Sequence, residues 1–334
     1  MQLNEIWFLI VGFLFIGYFV LDGFDFGVGM ALPFLGKDDT DRRVLINTIG
    51  PVWDLNETWV LVAGASLFAS FPEWYASLFS GFYLALLLIL AALIARGVAF
   101  EYRGKNDSPK WRKTFDWMIT VGSALPALLW GVAFANIVQG VPLNSDHVYT
   151  GTLFTLLNPY GLLGGLVTLT LFFTHGLIFI TLKTEDEIKE RARALAKKSG
   201  LVTTVLAATF LLWTLVAHFS AIGFILTILA ALSLIAAQWA NFARREGISF
   251  GLMVFTIVTA VGALFAALFP NVLPSSTNPD FGLTIYNASS SQYTLTVMTW
   301  VAVFMIPFVL AYQSWTYWVF RKRISRKSIP AGSH

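Results

Sequence analysis

The sequence predicts an all-α polytopic membrane protein, and two observations support that prediction. Hydrophobic residues make up 57% of the 334 residues and charged residues only 12%, unlike an ordinary soluble domain. The apolar residues also form nine segments of about 20 residues or more, enough to cross a ~30 Å hydrocarbon core at ~1.5 Å per residue. In a single membrane domain, 1–334, the predicted spans are 6–33, 44–71, 75–95, 117–139, 160–182, 200–219, 224–243, 249–270 and 294–320.

The basic residues predict how the chain is oriented. All 22 Lys and Arg residues fall in alternate connections, in groups of 3, 6, 6, 2 and 5, and the second group begins at Arg96. Because basic loops stay in the cytoplasm during insertion, we expect the amino terminus outside and the carboxy terminus in the cytoplasm. The stretch 200–243 is too long for one span, so we divide it at 220–223 into a tight hairpin. Nine transmembrane helices suit two four-helix bundles plus one helix.

Composition excludes several classes of protein. The chain has no cysteine, so it supplies no disulfide, thiolate haem ligand or iron–sulfur site. Its net charge of +3 comes from residues that set membrane orientation, so we expect membrane lipid and no nucleic acid as a partner. The first apolar stretch is longer than a signal peptide and lacks a basic leader, so it is expected to remain as the first helix.

Four acidic residues lie inside the first two predicted spans. Asp22 and Asp25 are in the first span, and Asp54 and Glu57 are in the second. Each pair has i,i+3 spacing and shares a helix face, and acids inside a membrane are candidates for function. Two interpretations stay open: the carboxyl groups hold a helix bundle together, or they relay protons, since a buried carboxyl group can gain and lose one. The relay hypothesis is strongest for Asp54, which follows a kinking Pro51 toward the middle of the bilayer.

Histidine is the residue type that suggests a haem ligand. Of the four histidines, His175 alone lies well inside a predicted span. A single histidine in an apolar helix is more often a core residue with its hydrogen bonds satisfied than a ligand. We therefore expect no metal site and no haem ligation in this chain.

Several longer motifs are spread along the chain. They are Asp-Gly-Phe-Asp-Phe-Gly-Val-Gly at 22–29, Asn-Thr-Ile-Gly-Pro-Val-Trp-Asp-Leu-Asn-Glu-Thr-Trp at 47–59, Phe-Ser-Gly-Phe-Tyr at 79–83, Gln-Gly-Val-Pro at 139–142, Leu-Asn-Pro at 157–159, Pro-Ser-Ser at 274–276 and Met-Thr-Trp-Val-Ala-Val at 298–303. Together they resemble subunit II of the cytochrome bd quinol oxidases. The resemblance runs nearly end to end, and the first two motifs are long and specific.

The resemblance implies a respiratory function. The family's oxidase oxidises quinol and reduces dioxygen to water in the cytoplasmic membrane of bacteria or archaea, taking protons from the cytoplasm. Two haems b and one haem d belong to the partner, subunit I, which pairs with subunit II as a pseudo-symmetric heterodimer. This chain is thus expected to ligate no cofactor itself. Small accessory subunits and a structural quinone are left open.

The resemblance also implies roles for individual residues. Asp25 and Asp54 match aspartates associated with the family's proton path, and we assign Asp22 and Glu57 to the same path. Trp53 matches a position that contacts quinone in some members. Trp59, the last residue of the second motif, matches a position near the oxygen route.

Two departures and two rival functions accompany the resemblance. A long outer loop found between spans six and seven in some members is reduced here to residues 220–223, and His175 stands where other members carry a polar residue that does not ligate haem. A secondary transporter coupled to protons or cations is one rival, and a purely structural membrane subunit is the other. Transporters with inverted repeats have matched interruptions in both halves, which the second half here lacks.

Overall fold

The computed structural model describes residues 2–329, and these residues are mostly helical. Within that range there are twelve α-helices and one two-stranded antiparallel sheet, in which Asn271 pairs with Thr284 and Leu273 with Leu283. The helices are α1 (Leu3–Leu35), α2 (Asp39–Ile49), α3 (Trp53–Ser70), α4 (Pro72–Gly81), α5 (Tyr83–Tyr102), α6 (Pro109–Gln139), α7 (Leu153–Leu156), α8 (Pro159–Lys183), α9 (Asp186–Ala217), α10 (Ala221–Phe242), α11 (Glu246–Leu268) and α12 (Gln292–Val319), and the strands are β1 (Asn271–Leu273) and β2 (Leu283–Thr284).

Among residues 2–329, eight helices are long and apolar enough to cross a membrane. They are α1, α5, α6, α8, α9, α10, α11 and α12. The prediction of a helical, multi-pass membrane protein is therefore confirmed. Helix α3 has 18 residues but starts with several polar side chains, which lower its hydropathy. The stretch 200–243 does divide into two helices, which meet at residues 218–220.

The second predicted span, 44–71, is not one helix. Helices α2 and α3 are separated by three residues that include Pro51, which has no N–H to donate to the preceding turn. Val52 then leaves helical geometry, with φ −129° and ψ −20°. The expected kink is therefore a break. Asp54 consequently lies in the first turn of α3, near one end of that helix and not near the middle of a long span.

The third predicted span, 75–95, is displaced along the chain. Two helices, α4 and α5, meet at Phe82, and α5 continues to Tyr102. Arg96 therefore lies inside α5 with none of its surface exposed, and its assignment to a solvated connection was wrong. The physical reason is that its charge is paired with acids of neighbouring helices, which a hydropathy pattern along one segment cannot detect.

Helix α1 occupies the centre of the fold. It packs against α3, α6, α8 and α11. Its contact with α8 is close at Gly27, where an added Cβ would lie 2.1 Å from the carbonyl oxygen of Phe172. Gly17 makes similar room for the indole ring of Trp59, which a Cβ would approach to 2.2 Å. Small residues thus bring the helices that carry the polar groups close together.

The long helices run between two opposite surfaces. One, called here the loop surface, is formed by residues 140–158 and 269–291, and α1 begins there, because the Asn4 amide donates to the carbonyl oxygen of Ile285 at 3.1 Å. The other, called the basic surface, carries the connections α1–α2, α5–α6, α8–α9 and α10–α11 and the segment after α12. That last segment reaches the α1–α2 connection through Arg326.

Candidate functional site

Three of the four predicted site acids lie together inside the helix bundle. Asp22 and Asp25 of α1 are fully buried, and the Glu57 side chain of α3 is 23% exposed. Arg96 of α5 and Asn56 of α3, both fully buried, contact these acids. These five residues are called here the buried charge cluster.

Arg96 is the positive centre of this cluster. Its Nη2 atom donates to Oδ1 of Asp22 at 2.8 Å and to Oε2 of Glu57 at 3.0 Å. The guanidinium also lies over the ring of Phe26, 4.5 Å from its centroid. Within residues 2–329 its Nε and Nη1 atoms have no hydrogen-bond partner. A buried guanidinium requires such ion pairs, so one positive charge here serves two carboxylates.

Asn56 connects three helices. Its Nδ2 atom donates to Oδ2 of Asp25 at 2.7 Å, and its Oδ1 atom accepts from the Tyr317 hydroxyl at 2.7 Å and from Nε2 of Gln313 at 3.0 Å. Two donors facing one end of the amide fix its orientation. Oδ1 of Asp25 is buried without a partner in the described part of the chain. Asp25 therefore meets a neutral amide and no cation.

Asp54 lies apart from the cluster. Its side chain is on the exposed surface of α3 and makes no hydrogen bond or ion pair within residues 2–329. Glu57 is one helical turn further along the same helix, so the two carboxyl groups are neighbours. The structure thus brings together Asp22, Asp25 and Glu57 but not the fourth predicted acid.

The two tryptophans of the second motif have different surroundings. Trp53 is partly buried and packs on Phe100 of α5, with ring centroids 5.1 Å apart. Trp59 is buried, and its Nε1 atom donates to Oε1 of Gln313 at 3.4 Å. Trp59 also lines an apolar cavity of about 430 Å³ between α1, α3 and α12.

His175 is fully buried and, within residues 2–329, makes no hydrogen bond or ion pair with the acids. One ring nitrogen, Nε2, lies 3.1 Å from the carbonyl oxygen of Val20, and the ring stacks on Phe250 with centroids 5.0 Å apart. Over residues 2–329 there is no group of three or more His, Cys, Asp or Glu side chains arranged to hold a metal ion. The ring is packed in the core, but its Nδ1 atom is buried without a hydrogen-bond partner in the described residues, so its hydrogen bonding is not fully satisfied.

Arg96, Gln313 and Tyr317 were not predicted from the sequence as site residues. The third span was predicted to end before Arg96, its first basic residue, although the apolar residues continue past it to Phe100. The acids in the first two spans were a second signal, because buried carboxylates need a positive charge nearby and Arg96 directly follows an apolar span. Gln313 and Tyr317 have i,i+4 spacing on α12, which indicates a polar patch on one face of an apolar helix.

Outside the membrane-spanning helices, ion pairs hold the basic surface together. The Asp38 side chain accepts a hydrogen bond from the backbone N–H of Asp41 at 2.9 Å and forms an ion pair with Nη2 of Arg326 at 2.7 Å. The backbone hydrogen bond from Asp41, followed by the Arg326 guanidinium, lowers the pKa of Asp38. Arg326 also contacts Oδ1 of Asp41 at 2.5 Å, so the segment after α12 is joined to the α1–α2 connection.

The fold and the buried charge cluster define a multi-pass membrane protein whose deepest charges lie on its early helices. The sequence model for cytochrome bd terminal oxidase subunit II matches residues 3–320. The chain is 44% identical over 331 residues to the cytochrome bd ubiquinol oxidase subunit 2 of Bacillus subtilis, covering 98% of each chain. It is 40% identical over 370 residues to the cytochrome bd-I ubiquinol oxidase subunit 2 of Escherichia coli, covering 99% of this chain and 98% of that one. The chain therefore belongs to the family of cytochrome bd terminal oxidase subunit II.

A solved structure has a similar fold. The structure of bd oxidase from Geobacillus thermodenitrificans aligns with a TM-score of 0.79 and covers 96% of this chain and 99% of that one. The sequences are 17% identical in this alignment, so the likeness concerns the fold alone. The resemblance identified from the sequence motifs is confirmed by the family match and by the two relatives.

Proposed function

We propose that the chain is the haem-free subunit II of a bd-type oxidase that oxidises quinol and reduces dioxygen to water. The family match over residues 3–320 carries this proposal, and it does not favour a secondary transporter. Subunit I would hold the haems, which supply the electron transfer to dioxygen, while this chain would serve proton uptake and assembly. The test is the optical spectrum of what co-purifies with the chain in mild detergent: haem b and haem d bands are expected, and their absence would contradict the proposal.

We further propose nine membrane crossings in one membrane domain. The ninth is α3, whose polar residues lower its hydropathy below that of the other eight helices. Its 18 residues would span ~27 Å. The chain begins at the loop surface and reaches the basic surface after α12, which supports an odd number of crossings. The relatives above are bacterial, so the proposed location is the bacterial cell membrane.

A pair of reporters tests this topology. Because the basic surface should face the cytoplasm, a reporter fused after Lys327 is expected inside and a tag at the amino terminus outside. Reporters on the same side would contradict an odd number of crossings, and exchanged sides would contradict the orientation.

Within the cluster, we propose that Asp25 carries the exchangeable proton. Asp22 and Glu57 share one guanidinium, so protonating either removes part of an ion pair. Asp25 hydrogen-bonds a neutral amide and forms no ion pair within residues 2–329, so a proton there would remove a buried charge without breaking an ion pair. Reduction of dioxygen to water consumes protons, so a buried group that gains and loses one suits the task.

We propose that Asp54 passes protons onward to subunit I. It is exposed on α3 one turn from Glu57, so its carboxyl group is accessible to a partner subunit. In the assembled complex, Asp54→Asn should retain the haems but lose about tenfold in quinol-dependent oxygen consumption, equivalent to ~1.4 kcal/mol on the limiting barrier. Glu73→Gln, a change at an exposed acid of α4, is the control and should be normal. Near-normal turnover in Asp54→Asn would contradict this role.

The larger cavities suggest places for apolar substrates. The cavity beside Trp59 supports the expected oxygen route, because its lining is apolar. A second cavity of about 550 Å³ between α3, α4, α5 and α6 is lined by Glu57 and Trp130, among others, and has room for the ring of a structural quinone. At Gly64, which lines it, an added Cβ meets no atom within 4 Å. Gly64→Leu should therefore lower the amount of quinone that co-purifies, and unchanged quinone content would contradict this placement.

A further inference from the structure

A pocket at the basic surface lies outside the buried charge cluster. Its cavity of about 330 Å³ is enclosed by the end of α1, by α2 and by the beginning of α6. Arg42 from α2 and Lys113 from α6 bring two positive charges to it. The other lining residues are Leu32, Pro33, Asp116, Trp117 and Thr120.

The charges around this pocket leave it available to an anion. Its one acid, Asp116, accepts hydrogen bonds from Arg103 Nε at 2.6 Å and Arg103 Nη2 at 3.4 Å. Arg103 also pairs with Asp39, which has a second partner in Arg112, so these cations compensate both carboxylates from outside the pocket. Arg42 approaches the same carboxylate only to 3.4 Å. The ammonium group of Lys113 is exposed and has no hydrogen bond or ion pair within residues 2–329. The pocket therefore has a surplus of positive charge.

An apolar groove lies beside this pocket, and Trp117 forms part of the wall of both. The groove has a volume of about 470 Å³ and runs between α5 and α6. Trp117 is 54% exposed. Aromatic side chains with an apolar body and a polar edge favour the headgroup level of a membrane. The other groove residues are Ala92, Ala95, Thr114, Met118, Val121, Gly122 and Leu125.

We propose that an anionic glycerophospholipid binds here, with its phosphate between Arg42 and Lys113 and an acyl chain in the groove between α5 and α6. Basic pockets between membrane helices suit anionic headgroups. The planar guanidinium of an arginine can donate two hydrogen bonds to a phosphate, and the ammonium group of a lysine adds a second, compact positive charge. A free phosphate would occupy the pocket and leave the groove empty. The apolar groove beside Trp117 favours a lipid, because only a lipid has an acyl chain to occupy it.

The test uses the complex stripped of lipid in neutral detergent. We expect phosphatidylglycerol to raise its thermal unfolding temperature, whereas phosphatidylcholine and inorganic phosphate have much smaller effects. Lys113→Gln should weaken the apparent affinity for phosphatidylglycerol roughly fivefold, as expected for one lost charge near the membrane surface. Lys110→Gln, the same change three residues earlier on an exposed position outside the pocket, should leave that affinity unchanged.

A second variant separates the groove from the pocket. Val121 is 54% exposed, so Val121→Trp should fill the groove without disturbing the core, and it should weaken lipid binding. Equal losses in Lys113→Gln and Lys110→Gln would overturn the proposal in favour of general surface charge. Stabilisation by inorganic phosphate equal to that by lipid would overturn it in favour of a free anion. Failure of the intact complex to bind phosphatidylglycerol would overturn it in favour of a face covered by subunit I.

Discussion

Within their apolar lengths, the early helices and the helices α8–α11 bury different kinds of polar group. Beyond those lengths, the buried Arg193 of α9 pairs with Glu246 at the end of α11 that lies on the basic surface. Between α1, α3 and α5, three carboxyl groups and one guanidinium are out of contact with water or nearly so. Between α8 and α9 the polar contacts are hydroxyl pairs, such as Thr174 with Thr203 at 3.0 Å, and between α10 and α11 Ser233 meets Thr256 at 2.9 Å. Hydroxyl groups at neutral pH hold helices together without changing charge. The early helices therefore bury groups that can exchange a proton, as proposed above, whereas the hydroxyl pairs of α8–α11 serve cohesion.

The largest expected effect comes from removing the positive centre of the cluster. Arg96→Leu leaves two buried carboxylates without a counter-charge, which should cost ~3–5 kcal/mol and prevent assembly or lower the unfolding temperature sharply. Thr203→Val, which removes a buried hydroxyl from α9, should cost only ~1 kcal/mol. Thermal unfolding of the purified complex measures both. Restored assembly is expected when Arg96→Leu is combined with Asp22→Asn and Glu57→Gln. Similar losses in the two single variants would remove the distinction between the regions.

The next largest effect concerns Asn56. Asn56→Ala leaves Asp25, Gln313 and Tyr317 short of a hydrogen bond, and each unsatisfied buried group costs ~1–3 kcal/mol. Tyr317→Phe removes only one of these bonds and serves as the matched variant. A melting curve for Asn56→Ala that coincides with that of Tyr317→Phe would mean that the amide does not connect the three helices.

A smaller effect is expected at His175. His175→Phe keeps an aromatic ring against Phe250 but loses the hydrogen bond to the carbonyl oxygen of Val20, at a cost of about 1 kcal/mol. The complex should keep all its haem, because the ring is part of a packed core. An optical spectrum checks this expectation. Selective disappearance of one haem band would assign His175 a role in haem binding and extend redox chemistry to α8.

The smallest effect lies at the basic surface. Arg326→Gln should lower the unfolding temperature by no more than about 1 °C at pH 7, and less at high salt. Its pair with Asp38 is exposed, and the buried Asp41, its other partner, keeps its ion pair with Arg191. The folded-state pKa of Asp38 is lowered, so its contribution is present above the unfolded-state pKa and is lost as the pH falls through the folded-state value. The difference from wild type should thus shrink below about pH 4. Lys327→Gln is the control, and an equal response from it would mean that the Arg326 pairs contribute nothing specific.

The sequence predicts features that depend on neighbouring residues in the chain, such as helices. It is less informative about features that depend on contacts with another helix, such as the burial of a charged side chain. Apolar segments predict the long helices well, and motif spacing predicts that Asp22, Asp25 and Glu57 are site residues. The same pattern misplaces Arg96, because only its contacts with α1 and α3 show that its charge is compensated. It also overestimates the burial of Asp54, since the break at Pro51 starts a new helix and turns this carboxyl group to the surface. Side-chain partners and helix breaks require the fold.

The central claim is that the acid without a cation, Asp25, exchanges protons, whereas Asp22 and Glu57 hold Arg96 in place. The direct measurement is quinol-dependent oxygen consumption by assembled complexes of matched haem content, comparing Asp25→Asn with Asp22→Asn. Asp25→Asn keeps the shape of the side chain but removes the exchangeable proton, so turnover should fall about tenfold or more, or ~1.4 kcal/mol. Asp22→Asn leaves Arg96 paired with Glu57 and should lower stability while keeping most of the turnover. Near-normal oxygen consumption by Asp25→Asn with its haems intact would contradict the claim.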